Sequence, residues 1–282
     1  MPTDQGRLPG RVVTAGGRAV HVVEQDGASP TVLLLGGCGV PFYAWDAVLE
    51  LLADRRIVRM DRPGLAGTPW PGRLPTLAEE IATLADLIDS LGSAPVLVAH
   101  SMAGLHAEGL ARRHPDRVAA LVLVDGSVER EPTPPGHGEG WRRLAAAADR
   151  VMRLVPPTRS LGSFADRLLC SVQSTRLGLT TPRPAAQRAV YREPGAIASV
   201  VAEQAAYAAQ VTDLAALRDE TAWPGLPVRV LTATGEGGQA WVQAQVWLAE
   251  QLCAEHTLVH ESRHLMMIDR PDAIAAAASP LP

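Results

Sequence analysis

The chain has 282 residues, 47% of them hydrophobic but only 4% aromatic, and a formal net charge of −4. All 26 basic residues are Arg, and no basic patch or like-charge run suggests nucleic acid or an interaction tail as partner. Met1 to Arg11 is polar, and no apolar run approaches the ~20 residues of a membrane span. The three cysteines are too few and too far apart for a disulfide framework or metal knuckle, so a soluble protein of the reducing cytoplasm is expected.

The spacing predicts a β-hairpin first, Arg11 to Ala15 and Arg18 to Glu24 around Gly16-Gly17. Thr31 to Leu35 is a buried strand that ends in Gly36-Gly37-Cys38-Gly39. A helix from Phe42 to Ala53, a strand from Ile57 to Met60 and a loop opening on Asp61-Arg-Pro-Gly64 follow. Thr76-Leu-Ala-Glu79 is a capping box opening a helix that Gly92 stops. Pro95 to Ala99 is a second short apolar strand, and a helix begins by Ala103. Arg117 to Asp125 is a third. Strands alternating with helices imply a mostly parallel sheet with helices on both faces.

After Gly126 the rhythm breaks. Pro-rich joints (Pro132 to Pro135, Pro156-Pro157, Pro182 and Pro184) separate helical stretches at Trp141 to Val155, Leu161 to Ser174 and Gly195 to Leu217. The division expected is a core of residues 1–126 and 224–282, with a helical cap inserted at 127–223. The strand Pro227 to Ala233, a helix Trp241 to Cys253, a strand His256 to Glu261 and an Ala-rich helix Pro271 to Ala278 complete the core.

Only two residues, His100 and Ser101, precede Met102 between the buried strand and its helix, which forces Ser101 into a cramped turn with its hydroxyl exposed. The turn closes only if its neighbours are small, and these are Ala99 and Ala103. The A-x-S-x-A pattern resembles the nucleophile elbow of the α/β-hydrolase superfamily, with Ala at both usual Gly positions. Asp61-Arg-Pro-Gly64 and the Ser262-Arg-His264 segment with Asp269-Arg-Pro271 resemble further motifs of that superfamily. The resemblance covers about Arg11 to Ala278 outside the insertion. It implies an α/β-hydrolase fold with an inserted helical cap.

A serine hydroxyl is a poor nucleophile unless a base takes its proton and an acid fixes that base. The family order Ser, acid, His makes His264 the base. His100 is the variable residue of the elbow. His21, His106, His114, His137, His256 and His260 read as structural or exposed. Two acids compete. Glu236 lies in Thr234-Gly-Glu-Gly-Gly, the family's commoner place, whereas Asp125 ends the strand after the elbow helix. Asp125 is favoured, because a Gly-rich loop holds Glu236 less firmly than a strand end holds a carboxylate. The resemblance also implies oxyanion donors at the backbone N–H groups of Met102 and Cys38, although the family's His before the Gly is missing here. As a nucleophile Cys38 has no base beside it, and Gly36 to Gly39 lacks the spacing of a phosphate loop.

The expected activity is serine hydrolysis of a small ester, thioester or lactone, with no cofactor and no metal. The expected partner is a small molecule with an apolar portion, neither nucleic acid nor membrane. Leu154, Phe164, Leu168, Val201 and Tyr207 are candidates for the pocket or equally for the cap's own core. The alternatives are a triad enzyme that does not hydrolyse (C–C hydrolase, lyase, cofactor-free peroxidase or acyltransferase) and a non-enzymatic small-molecule binder. Serine at position 101 argues against the carboxylate-nucleophile chemistry of epoxide hydrolases and haloalkane dehalogenases.

Overall fold

A computed structural model describes residues 8–130, 138–155, 159–176 and 184–279. The strands are β1 (Arg11–Ala15), β2 (Arg18–Gln25), β3 (Ala28–Leu35), β4 (Arg55–Asp61), β5 (Val96–His100), β6 (Ala120–Val124), β7 (Val228–Ala233) and β8 (Glu255–Val259). They form one eight-stranded sheet in the order β1-β2-β4-β3-β5-β6-β7-β8. The pairs β1–β2 and β2–β4 are antiparallel, and every other neighbouring pair is parallel. The sheet is thus mostly parallel, and β5, which delivers Ser101, lies in its interior between β3 and β6.

Parallel strands connected by helices bury both faces, so their residues are apolar throughout instead of alternating with polar ones. Leu33, Leu35, Leu97, Ala99, Leu121 and Leu123 face one layer. They pack with α2 (Leu77–Leu91), α3 (Ala103–Arg113) and α8 (Gly238–Gln251). Val32, Leu34, Val96, Val98 and Val122 face the other, against α1 (Asp46–Leu51), α9 (Met266–Asp269) and α10 (Pro271–Ala278). The capping box opens α2 as its sequence predicts. Thr76 Oγ1 accepts from the Glu79 N–H at 3.2 Å, and the Glu79 carboxylate accepts from the Thr76 N–H at 3.1 Å.

Between β6 and β7 the regular structure among the described residues is entirely helical: α4 (Gly138–Leu154), α5 (Arg159–Gln173), α6 (Pro184–Tyr191) and α7 (Gly195–Glu220). The Pro-rich joints at 132–135, 156–157 and 182 lie outside the described residues, as does His137. Pro184 is not a joint. It is the first residue of α6, where a missing N–H costs nothing because that donor would have no intrahelical partner. Boundaries also move. Pro115–Arg117 forms a 3-10 turn, so β6 starts at Ala120. The expected helix at Phe42 begins as a 3-10 turn through Trp45 and ends at Leu51. Helix α7 serves two regions: Val211, Leu214 and Leu217 join the core packed on α2 and α3, while its first half reaches the loop after β3.

Candidate active site

Ser101 sits between β5 and α3 with φ at +54°, in the left-handed region that a residue with a side chain seldom occupies. Three backbone bonds hold it there: its N–H donates to Val124 O at 3.1 Å, and its carbonyl accepts from Gly104 and Ser127 at 2.9 and 3.0 Å. Ala99 and Ala103 are fully buried beside it. The loop after β3 comes close on the other side. A Cβ on Gly37 would stand 2.7 Å from Ser101 Cβ and 2.8 Å from His100 Nδ1.

His264, from the loop between β8 and α9, places Nε2 2.9 Å from Ser101 Oγ and Nδ1 2.7 Å from Asp125 Oδ2. An ionised carboxylate only accepts, so Nδ1 carries the proton and Nε2 is left to accept from the serine hydroxyl. Asp125 is 1% exposed, with φ at +45°. Its second oxygen accepts from the Ala233 N–H at 3.0 Å and from Trp241 Nε1 at 2.9 Å. Glu236 is also at the site, but it meets the backbone: its Oε1 accepts from the His264 N–H at 2.9 Å. The two candidate acids therefore hold different parts of one histidine.

Four contacts were not legible in the sequence. Trp241 comes from the first turn of α8. His100 is buried beneath His264, ring centroids 4.6 Å apart, accepting from the Gly37 N–H at 3.3 Å and donating Nε2–H to His264 O at 2.9 Å. Burial, and next the proximity of His264, hold the His100 imidazole well below the ordinary histidine range, so it stays neutral. Asp269 accepts from the Arg263 N–H at 2.9 Å, from Ser174 Oγ at 2.5 Å and from the Thr175 and Arg176 N–H groups. It thereby joins the end of α5 to the loop that carries His264. The fourth contact, between Arg62 and Glu203, is taken up below.

Among the described residues, the N–H groups of Cys38 and Met102 have no hydrogen-bond partner. The Cys38 thiol donates to Val200 O at 3.6 Å, and burial, with Glu203 next, raises its pKa far above the ordinary thiol range. A thiol held protonated in this way supplies little thiolate, the form that attacks. Of the pocket candidates, Leu154, Phe164 and Leu168 are exposed, Leu154 by 68%. Val201 packs near Ala145, Ala198 and Ala202, and Tyr207 donates to Glu129 at 3.1 Å. No group of three or more His, Cys, Asp or Glu side chains suited to a metal ion occurs among the described residues. No helix among them is long and apolar enough to cross a membrane.

Comparison with known proteins agrees with this architecture. The chain is 36% identical over 110 residues to a pimeloyl-[acyl-carrier protein] methyl ester esterase of Aeromonas hydrophila, covering 37% of this chain and 41% of that protein. It is 31% identical over 144 residues to a putative 2-succinyl-6-hydroxy-2,4-cyclohexadiene-1-carboxylate synthase of Bacillus subtilis, covering 50% and 48%. The matched stretches thus span about two-fifths to half the length of these curated relatives. Among solved structures, Cfl2 of Burkholderia cenocepacia superposes with a TM-score of 0.73 at 23% identity, covering 95% of this chain and 93% of that one. The enol-lactonase of Burkholderia xenovorans LB400 superposes at 0.67 and 22%, covering 95% and 97%. These two likenesses concern the fold. The model of the alpha/beta hydrolase family matches residues 32–277, and the chain belongs to that family.

Proposed function

We propose that the protein is a serine hydrolase that cleaves a small ester, thioester or lactone through an acyl-enzyme on Ser101. The observation that carries this reading is His264, within hydrogen-bond reach of Ser101 Oγ through Nε2 and of Asp125 through Nδ1. Ser101 Oγ attacks the acyl carbon while its proton passes to His264 Nε2, and the carbonyl π pair moves onto oxygen. The N–H groups of Cys38 and Met102 receive that oxyanion. Collapse of the adduct expels the alkoxide or thiolate, which takes the proton from His264. A water molecule, deprotonated by the same Nε2, then attacks the acyl carbon, and Ser101 leaves with its hydroxyl restored. Asp125 stays ionised throughout and stabilises the imidazolium.

Residues 127–223 act in this reading as a cap on a core of 1–126 and 224–282. Support comes from α7, whose Val200 and Glu203 meet the loop beside Ser101. The acyl substrate class is supported by the similarity to an ester esterase and to Lipase LipV of Mycobacterium tuberculosis. Similarity to the putative synthase favours a second reading, in which the same triad serves a non-hydrolytic step.

Fluorophosphonate labelling tests the proposal, with wild type beside Ser101→Ala and His264→Ala, followed by turnover of a p-nitrophenyl ester series. Labelling and ester release that need both residues are expected. A folded wild type that does not label overturns the activated serine. Labelling without release of any ester, thioester or lactone overturns hydrolysis in favour of the second reading.

A further inference from the structure

The loop that carries Cys38 is held by a buried ion pair whose anion belongs to α7. Arg62 follows β4, and its guanidinium donates to Gly36 O and Gly37 O, each at 2.6 Å. The same group meets Glu203 at two points, Nε to Oε1 and Nη2 to Oε2, both 2.9 Å. Glu203 Oε2 also accepts from the Gly39 N–H at 3.0 Å. Arg62 is 5% exposed and Glu203 4%. Two further contacts come from the same helical region: Val200 O accepts from the Cys38 thiol, and Tyr191 Oη lies 2.8 Å from both Gly39 O and Asp166 Oδ1, which compete for its one proton.

Stability alone does not call for this arrangement, since a buried ion pair gains little over well-packed apolar side chains. What the charges add is direction. The planar fork of Arg62 fixes two successive carbonyls, and the carboxylate fixes both the fork and the N–H of Gly39. With the Gly37 N–H engaged by His100 and the Gly39 N–H by Glu203, the unpartnered N–H between them is that of Cys38.

We propose that Glu203, directly and through Arg62, is a positioning residue that aims the Cys38 N–H at the developing oxyanion. The seating of α7 then sets the rate of acyl transfer. This rests on the serine-hydrolase reading above and assigns the oxyanion loop's geometry to the helical insertion instead of to the core alone. An acyl group that displaced α7 would lose catalysis while still binding.

The test compares Glu203→Ala, Glu203→Gln and Arg62→Lys with wild type, with folding checked by thermal melts. Three quantities are read on a p-nitrophenyl ester: kcat, KM and the pH profile of kcat/KM. A fourth is inhibition by a trifluoromethyl ketone, whose serine adduct carries the oxyanion. For Glu203→Ala, kcat is expected to fall by ~100-fold with ketone affinity falling in parallel, since loss of an oxyanion donor has that effect. KM stays within about threefold, because the lost interaction exists only in the transition state. The pH profile of kcat/KM does not move. Glu203→Gln, which keeps an oxygen for the Gly39 N–H, retains more activity than Glu203→Ala. A folded Glu203→Ala with unchanged kcat, or with its loss confined to KM, overturns the proposal. If neither Glu203 variant folds, Arg62→Lys decides: an ammonium keeps the charge but lacks the fork that holds Gly36 O, Gly37 O and both Glu203 oxygens, so a joint fall in kcat and ketone affinity supports the proposal and unchanged values overturn it. Fluorophosphonate labelling separates the two readings. A wild type that does not label overturns both, whereas normal labelling and turnover in Glu203→Ala overturn only this one.

Discussion

Asp125 Oδ2 and His264 Nδ1 are separated by 139 residues of chain and by 2.7 Å in space. Glu236, nearer in sequence, reaches only the His264 backbone. Asp125→Asn is therefore expected to lower kcat by about 10⁴-fold, because an amide in place of the carboxylate selects the wrong imidazole tautomer. Glu236→Gln retains an acceptor for the His264 N–H and is expected to stay within about tenfold of wild type, the weight of one hydrogen bond. Steady-state ester hydrolysis by the two variants checks this assignment, and a reversed order of losses would move the acid to Glu236.

Gly37→Ala is expected to abolish turnover. Its methyl group would fall 2.7 Å from Ser101 Cβ and 2.8 Å from His100 Nδ1, and both are held in place, Ser101 by three backbone hydrogen bonds and His100 by bonds to Gly37 and His264. The loss should appear in fluorophosphonate labelling as strongly as in hydrolysis. Gly140→Ala, which like Gly37 lies outside the positive-φ region but has nothing within 4 Å of the new methyl group, provides the control for an added methyl group alone.

Trp241→Phe removes one of the two donors on Asp125 Oδ1 and keeps the aromatic bulk. One hydrogen bond to a carboxylate is worth roughly 1.5–3 kcal/mol. The Ala233 N–H remains, so the expected result is a partial loss of kcat with unchanged KM. An inactive variant would mean that Trp241 does more than steady the carboxylate.

Acid should destabilise the fold through its buried histidines. Burial lowers the pKa of His106, although Glu80 beside it acts in the opposite direction. The folded protein thus binds this proton less readily than the unfolded chain, whose histidines titrate near pH ~6.5. Stability is whole above that pH and is lost as pH falls below it, by up to about 1.4 kcal/mol per pH unit for one such group. In His106→Gln, which can still donate to Gln210, Tm is expected to fall less steeply between pH 7 and 5 than in wild type. Parallel melting curves would assign the acid sensitivity elsewhere.

Local signals in the sequence were reliable where the physics was local. The capping box at Thr76, the hairpin at Gly16-Gly17 and the turn around Ser101 each depend on residues within a few positions, and each stands where its pattern put it. The α6 helix was lost because Pro184 reads as a breaker until its place at the first helical position is known. The supporting contacts were invisible for a different reason. Arg62 and Glu203 lie 141 residues apart, and His100 was only the variable letter in a motif. No periodicity announces a pair that exists only once separate elements have packed, and a buried charge looks like a surface charge until its partner arrives.

The four-way grip of Asp269 has a consequence for anyone who would exchange the helices between β6 and β7 for those of a relative. The outgoing chain at Ser174, Thr175 and Arg176 is fastened to the same carboxylate that fixes Arg263, one residue before the catalytic base candidate. A transplanted segment that lacks a hydroxyl and free amides at this junction would leave a buried carboxylate short of donors and loosen the His264 loop. Grafts for new substrate range should therefore keep Ser174 to Arg176 native, and Glu203 with them, so that the splice to the His264 loop and the hold on the loop after β3 both travel with the scaffold.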